Sequence, residues 1–325
     1  MPKCNLVEAI NLGLKEEMEK DPAVMILGED VGREGGVFRV TDGLQAIYGP
    51  DRVVDTPLAE SGIVGTAFGL ALNGMRPIAE IQFEGFLPPT LDQIISHVSR
   101  IRTRSRGRHS CPMVIRSPYG GGIRAPEHHS DANEALFAHI PGIKVVIPSN
   151  PYDAKGLIIS AIRDPDPVLF LEPKRIYRAV RQEIPDGEYT VPTGEAAVVQ
   201  EGDSLTVICW GAMVREVLRA AEAAAAEGIN AEVIDLRTIS PMDDETIMDS
   251  VRKTGRVVVV HEAPKTCGVG AEIIARINEK AFYHLEGPMI RVTGFDTVMP
   301  LPKLENIYLP DQERILRAMR QVVEA

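Results

Sequence analysis

Short, unbroken apolar runs recur along this chain and alternate with stretches of helical periodicity. Ala23-Val-Met-Ile-Leu27, Lys144-Val-Val-Ile147, Val168-Leu-Phe-Leu171, Leu205-Thr-Val-Ile-Cys-Trp210 and Val257-Val-Val-Val260 contain almost no polar residue. A strand with one wet face alternates apolar and polar residues. One that is apolar throughout has both faces covered, as in a parallel sheet lying between helices. Between the runs, Leu6, Val7, Ile10, Leu14 and Met18 fall on one helical face. Further helices are expected over 61–74, 88–104, 151–163, 213–227, 243–252, 269–280 and 311–322. Asn150-Pro151 is a helix start and Gly228 a helix stop. Strands are also expected at Pro77–Ile81, Met113–Arg116, Ala231–Leu236 and Pro288–Val292. The expected class is α/β with mainly parallel sheets.

The rhythm breaks over about 172–192, a charged stretch holding Pro173, Pro185 and Pro192. A chain of 325 residues is long enough for two domains. We place the first at 1–180, a linker at 181–192 and the second at 193–325.

Composition excludes several classes. No apolar run approaches the ~20 residues of a membrane span. Residues 1–20 read as an amphipathic helix carrying Glu8, Lys15, Glu16, Glu17 and Glu19 rather than as a signal peptide. The net charge of -11 disfavours a general nucleic-acid surface. Arg100, Arg102, Arg104, Arg106 and Arg108 form a local basic stripe, either a solvated helix end or a docking surface for an acidic partner. Cys4, Cys111, Cys209 and Cys267 stand far apart with no Cys-x-x-Cys pair, which indicates neither a zinc site nor a redox dithiol and suits the cytoplasm.

The chemistry has to come from elsewhere than the common motifs. There is no phosphate loop and no Gly-x-Ser-x-Gly elbow, and Gly268-Val-Gly270 runs on into Ala271-Glu272, which fails the dinucleotide pattern. The chain therefore binds something other than a nucleotide, or shares its ligand with another chain. Three constellations remain. Glu60 precedes a glycine-rich helix; it is either a plain first-turn acid favoured by the helix dipole or a buried carboxylate with a raised pKa. Glu80-Ile-Gln82-Phe-Glu-Gly-Phe86 follows a strand, and Phe86 is either core or a stacking platform for a flat heterocycle. Gly120-Gly-Gly122 leads to Glu127-His128-His129-Ser130-Asp131. Adjacent histidines point in different directions and no second ligand pair follows, so an acid–base or substrate-contacting histidine is favoured over a metal ligand.

Six stretches in order (LGEDVGREGGVFRVTDGL, DTPLAESGIVG, RPIAEIQF, LDQIISHVS, HHSDANEALFAHIPGIKVVIPSNPYDAKGLI and DPVLFLEPKRIYR), with the ending RVTGFDTVMPLPKLENIYLP, carry a family resemblance over nearly the whole chain. The chain resembles the β subunit of the thiamine diphosphate-dependent decarboxylating component of 2-oxo acid dehydrogenase complexes. The resemblance implies a transketolase-like pyrimidine-binding domain followed by a transketolase C-terminal-type domain. It also implies an α2β2 heterotetramer with thiamine diphosphate between subunits. The diphosphate and its Mg ion would sit on α, with no Mg site in this chain, and the aminopyrimidine on β.

Residue by residue, Glu60 matches the glutamate that hydrogen-bonds the pyrimidine nitrogen and activates the cofactor. Phe86 matches the aromatic packed on the pyrimidine, and Leu58 and Gln82 match neighbouring pocket positions. His129 matches the histidine that meets substrate or lipoyl group. The family often has His-Ser-Gln where this chain has His129-Ser130-Asp131; the acid either favours protonated His129 or faces solvent. A structural K ion is implied on carbonyls of loops near 111–114 and 161–166, beside Asp164 and Asp166.

The implied activity is oxidative decarboxylation of a 2-oxo acid, with acyl transfer to the lipoyl group of an acyltransferase partner. Glu80-Ile-Gln82 and LFLEPKRIYR lean towards branched-chain substrates, with pyruvate the other expectation. An acetoin dehydrogenase β subunit and a non-catalytic structural subunit are the alternatives.

Overall fold

The apolar runs are strands buried on both faces, in a computed structural model that describes residues 3–325. The first half of the chain runs β1 (Lys3–Cys4), α1 (Leu6–Lys20), β2 (Val24–Gly28), α2 (Leu44–Tyr48), β3 (Val53–Asp55), α3 (Glu60–Leu72), β4 (Arg76–Glu80), α4 (Leu91–Ser96), α5 (Ile101–Arg104), β5 (Val114–Tyr119), α6 (Glu134–Ala138), β6 (Lys144–Val146), α7 (Pro151–Arg163), β7 (Val168–Pro173) and β8 (Gln182–Glu183). The second half runs β9 (Ala197–Gln200), β10 (Leu205–Cys209), α8 (Met213–Ala225), β11 (Ala231–Asp235), β12 (Thr238–Ser240), α9 (Asp244–Thr254), β13 (Val257–Val260), α10 (Val269–Ala281), β14 (Ile290–Val292), α11 (Glu305–Tyr308) and α12 (Gln312–Glu324).

Two sheets organise most of these elements into a two-domain α/β fold, while β1 and β8 pair separately. The larger has the order β12-β6-β7-β5-β4-β2-β3 and is parallel except for β12. The smaller has the order β14-β13-β10-β11-β9 and is parallel except for β9. Helix starts follow local chemistry. Asn5 and Glu8 form a reciprocal capping box at α1, and Asn150 caps α7 with Pro151 in its first turn.

Three departures from the sequence expectation have clear causes. The helix expected over 88–104 is broken into 3-10 turns at Pro88–Thr90 and Val98–Arg100 and the short α4 and α5. His97 leaves helical geometry at φ -127° and ψ -64°, and its ring stacks on Phe68 with centroids 5.8 Å apart. β3 is only three residues long, too short to show a period. β12 comes from the second half of the chain yet pairs antiparallel with β6, Thr238 facing Val146, so it closes the edge of the first sheet.

In the large sheet the chain leaves β2 for β3 on one side and then crosses to β4 on the other. Such a reversal opens a crevice at the carboxyl ends of the strands. Gly28 ends β2 there because a Cβ would stand 2.7 Å from the carbonyl oxygen of Glu80.

Candidate active site

The crevice at the strand reversal collects residues from three strand ends. Glu29 and Asp30 follow β2, Leu58 and Glu60 follow β3, and Gln82 and Phe86 follow β4. Glu60 opens α3, whose N-terminal residue Ala59 offers no side-chain cap, and it keeps partial exposure in the single chain. The desolvated acid is Glu29, only 8% exposed. Burial, then the nearby Glu60 and Asp30 carboxylates, pushes its pKa up. Glu29 lies in the stretch LGEDVGREGG but is not singled out there; the signal available is an acid directly after an apolar strand. Gln82 donates from Nε2 to Asp30 Oδ2 at 3.1 Å, which leaves its carbonyl oxygen free to accept. Leu58 is 79% exposed, an apolar side chain at the mouth of a polar crevice.

Aromatic rings link this crevice to the histidine loop. Phe86 packs against His129, centroids 5.1 Å apart, and against His128 at 5.5 Å. Phe83 meets His129 edge-on at 4.5 Å. His129 Nδ1 lies 3.0 Å from the carbonyl oxygen of Glu127. A carbonyl only accepts, so the neutral ring holds its proton on Nδ1 and presents Nε2 to its surroundings. Asp131 turns to the other histidine: its Oδ2 is 3.3 Å from His128 Nδ1. The polar contact that Asp131 makes is thus with His128, itself at a positive φ of 70°, and its side chain keeps 24% exposure.

Buried ionic groups hold the strand ends beneath the crevice. Arg116 on β5 bridges Glu80 of β4, Nη1 to Oε2 2.7 Å, and Glu172 of β7, Nε to Oε1 2.6 Å. The Tyr177 hydroxyl donates to Glu172 at 2.6 Å. Glu84 is buried and accepts from the backbone N–H of Asn133 at 2.8 Å, tying β4 to the start of α6. Glu134 is also buried; desolvation raises its pKa to about 7, opposed by the Tyr119 hydroxyl and Trp210 indole, which lie near it without good hydrogen-bond geometry. Beside the loop, a cavity of about 400 Å³ opens between the domains, bounded by His128, Asp131, Glu262, Met299 and Tyr308.

Among the described residues no group of three or more His, Cys, Asp and Glu is placed to hold a metal ion. At the loops expected to hold K, the side chain of Asp164 pairs with Lys144 and that of Asp166 with Arg102, so a cation there would have backbone carbonyls as ligands. Three arginines of the basic stripe are engaged within the chain: Arg102 with Asp166, Arg100 with the carbonyl of Ile95 and Arg104 with that of Ser96. No helix among the described residues is long and apolar enough to cross a membrane.

Comparison with known proteins adds an independent line. The transketolase pyrimidine-binding domain family matches residues 3–180, and the transketolase C-terminal domain family matches 194–315. The pyruvate dehydrogenase E1 component subunit beta of Acholeplasma laidlawii is 57% identical over 325 residues, covering 100% of this chain and 99% of its own length. The same subunit of Bacillus subtilis (strain 168) is 52% identical over 324 residues, covering 100% of both chains. That of Staphylococcus aureus is 50% identical over 324 residues, again covering 100% of both. Among solved structures, a split-gene transketolase in an inactive β4 tetramer superposes with a TM-score of 0.82 over 99% of each chain at 22% identity, a likeness of fold.

Proposed function

The chain belongs to the family of β subunits of the thiamine diphosphate-dependent decarboxylating (E1) component of 2-oxo acid dehydrogenases, and on that premise we propose that it forms half of the active site of a pyruvate dehydrogenase. The other half comes from an α subunit in an α2β2 assembly, and the acyl group passes to the lipoyl group of an acyltransferase partner. Pyruvate is favoured because the relatives that match end to end at 50–57% identity are named for it. The residues that leaned towards branched-chain substrates have other duties: Glu80 and Glu172 are both bound to Arg116 and buried, so neither faces a substrate.

One observation carries the reading. The crevice at the strand reversal offers acids, a free amide oxygen and an aromatic edge, yet no phosphate cradle, and Leu58 stands exposed at its mouth. That set fits the flat, hydrogen-bonding pyrimidine end of thiamine diphosphate and leaves the diphosphate and Mg to a second chain. Glu60 would hold the ring nitrogen, Gln82 accept from its amino group, and Phe86 and Leu58 fix its plane. When bound, the cofactor supplies the nucleophilic carbon and electron sink that decarboxylation of a 2-oxo acid requires. Glu60 would hold or pass a proton at the ring-nitrogen contact, with the Glu29 carboxyl, raised in pKa by burial and then by Glu60 and Asp30, nearby. His129 presents Nε2, which accepts a hydrogen bond in the neutral ring and donates one once protonated, for the later transfer.

The test is to co-express the chain with its α subunit and assay the complex on pyruvate, a branched-chain 2-oxo acid and acetoin, with and without thiamine diphosphate. Cofactor-dependent turnover highest on pyruvate supports the proposal. Preference for either other compound corrects the substrate, and turnover indifferent to the cofactor overturns the reading.

A further inference from the structure

We propose that Lys174 is a positioning residue for His129: its ammonium group, buried under the histidine loop, holds the His129 peptide carbonyl and so sets where the imidazole points. The inference rests on the reading of His129 as the group that meets substrate or acyl acceptor.

Lys174 follows β7 in the 3-10 turn Lys174–Ile176 and is 3% exposed. Its Nζ donates to the carbonyl oxygen of His129 at 2.5 Å. The same Nζ stands 5.3 Å from the centroid of Phe83, whose ring packs at 4.5 Å on the His129 imidazole. One buried cation thus touches both the backbone of His129 and the ring its side chain rests on. Shifting the His129 backbone would break a charge-assisted hydrogen bond, and turning the imidazole would lose its contact with the Phe83 ring that the same cation faces.

The close partners of this lysine are a carbonyl oxygen and a ring rather than a carboxylate, which is unusual for a buried cation. The acids facing it lie further off: Glu84 after β4, Asp131 in the loop, Glu262 after β13 and Glu305 on α11. Burial outweighs them and lowers its pKa to about 8. The clamp is charged at neutral pH and loses its charge in mildly alkaline solution. Its neighbour Arg175 is used differently: it turns to Glu216 of α8, with Nη2 3.0 Å from Oε1.

The experiment uses the assembled α2β2 complex in two assays, decarboxylation with ferricyanide as electron acceptor and acyl transfer to a free lipoyl domain. In the wild type, acyl transfer should fall with an alkaline limb near pH 8, a limb weaker or missing in the ferricyanide assay. Lys174→Met should lower kcat for transfer roughly tenfold to a hundredfold, more than it lowers the ferricyanide rate, and should abolish the limb. Lys174→Arg should restore transfer in part and move the limb upward. In a His129→Ala background, Lys174→Met should add little, because the two act as one unit.

Equal losses in both assays with the limb unmoved would show a merely structural role and overturn the inference. Should the Met variant fail to assemble, the wild-type profile still decides, since a transfer rate flat through pH 9 also overturns it. A wild-type complex inert towards every 2-oxo acid removes the functional reading, and this inference with it.

Discussion

The side chain of Glu262, at the end of β13, accepts the backbone N–H of Gly121 from the first domain, Oε2 to N 2.9 Å. β10 lies between β11 and β13, so the second sheet has a strand reversal of its own, and the glycine loop of the first domain meets it at Glu262. Gly120, at φ +76°, passes so close that a Cβ would stand 2.5 Å from Glu262 Oε1. Further along, Glu305 Oε2 accepts the N–H of Arg124 at 2.9 Å. The histidine loop is therefore anchored by both domains, which ties the second domain to the site without giving it a group in the crevice.

Glu262→Ala should leave the Gly121 N–H unsatisfied at a cost of about 1–3 kcal/mol. Glu262→Gln keeps an acceptor, and because burial raises the pKa of Glu262, loss of the charge should cost less. Urea unfolding measures both changes. Limited trypsin digestion at Arg124 should be faster in the Ala variant alone.

Glu60→Gln in the assembled complex should reduce cofactor-dependent decarboxylation by about 10²–10⁴-fold. Glu60 is partly exposed at a helix start, so the unfolding free energy of the chain should change by no more than about 0.5 kcal/mol. Intact activity would favour the structural-subunit alternative.

Glu134 makes stability depend on pH in a defined direction. Its folded pKa is raised from 4.5 to about 7, so between those values the native state binds more protons than the unfolded state. Stability from this group is fully present below pH 4.5, declines as pH rises through the window and levels off above about 7, a loss on the order of 3 kcal/mol. Chemical denaturation at pH 5, 6 and 7.5 should show this decline in the wild type and a shallower one in Glu134→Gln, which is neutral throughout.

Asp131→Asn should be nearly silent in stability and in the acid limb. The acid pairs with His128, whose side chain is 57% exposed, so its loss should cost less than about 1 kcal/mol. His129 is oriented by the carbonyl of Glu127, so the acid limb of the pH–rate profile should stay in place. A displaced acid limb would mean that Asp131 acts on His129 after all.

Periodicity and local chemistry determined the elements. α7 runs from Pro151 to Arg163 and β13 from Val257 to Val260, as the sequence predicts, because a capping Asn150 with Pro151 and a four-valine run state their conformations locally. The motif order likewise carried Leu58, Glu60, Gln82, Phe86 and His129 as candidates, and the fold brings Glu60, Gln82 and Phe86 to the ends of the two strands that flank β2 in one sheet. Tertiary structure decided the rest. The burial of Glu29 is hinted at only by its place after an apolar strand, the pairing of Asp131 with His128 shows only in the folded loop, and β12 joins a sheet whose other strands lie far behind it in the chain. Lys174 reads in sequence as one more basic residue in LFLEPKRIYR, and only the folded chain sets it under His129. The physical reason is range: capping and hydrophobic period act over a few residues, whereas desolvation, ion pairing and ring contacts depend on which distant segments the fold brings together.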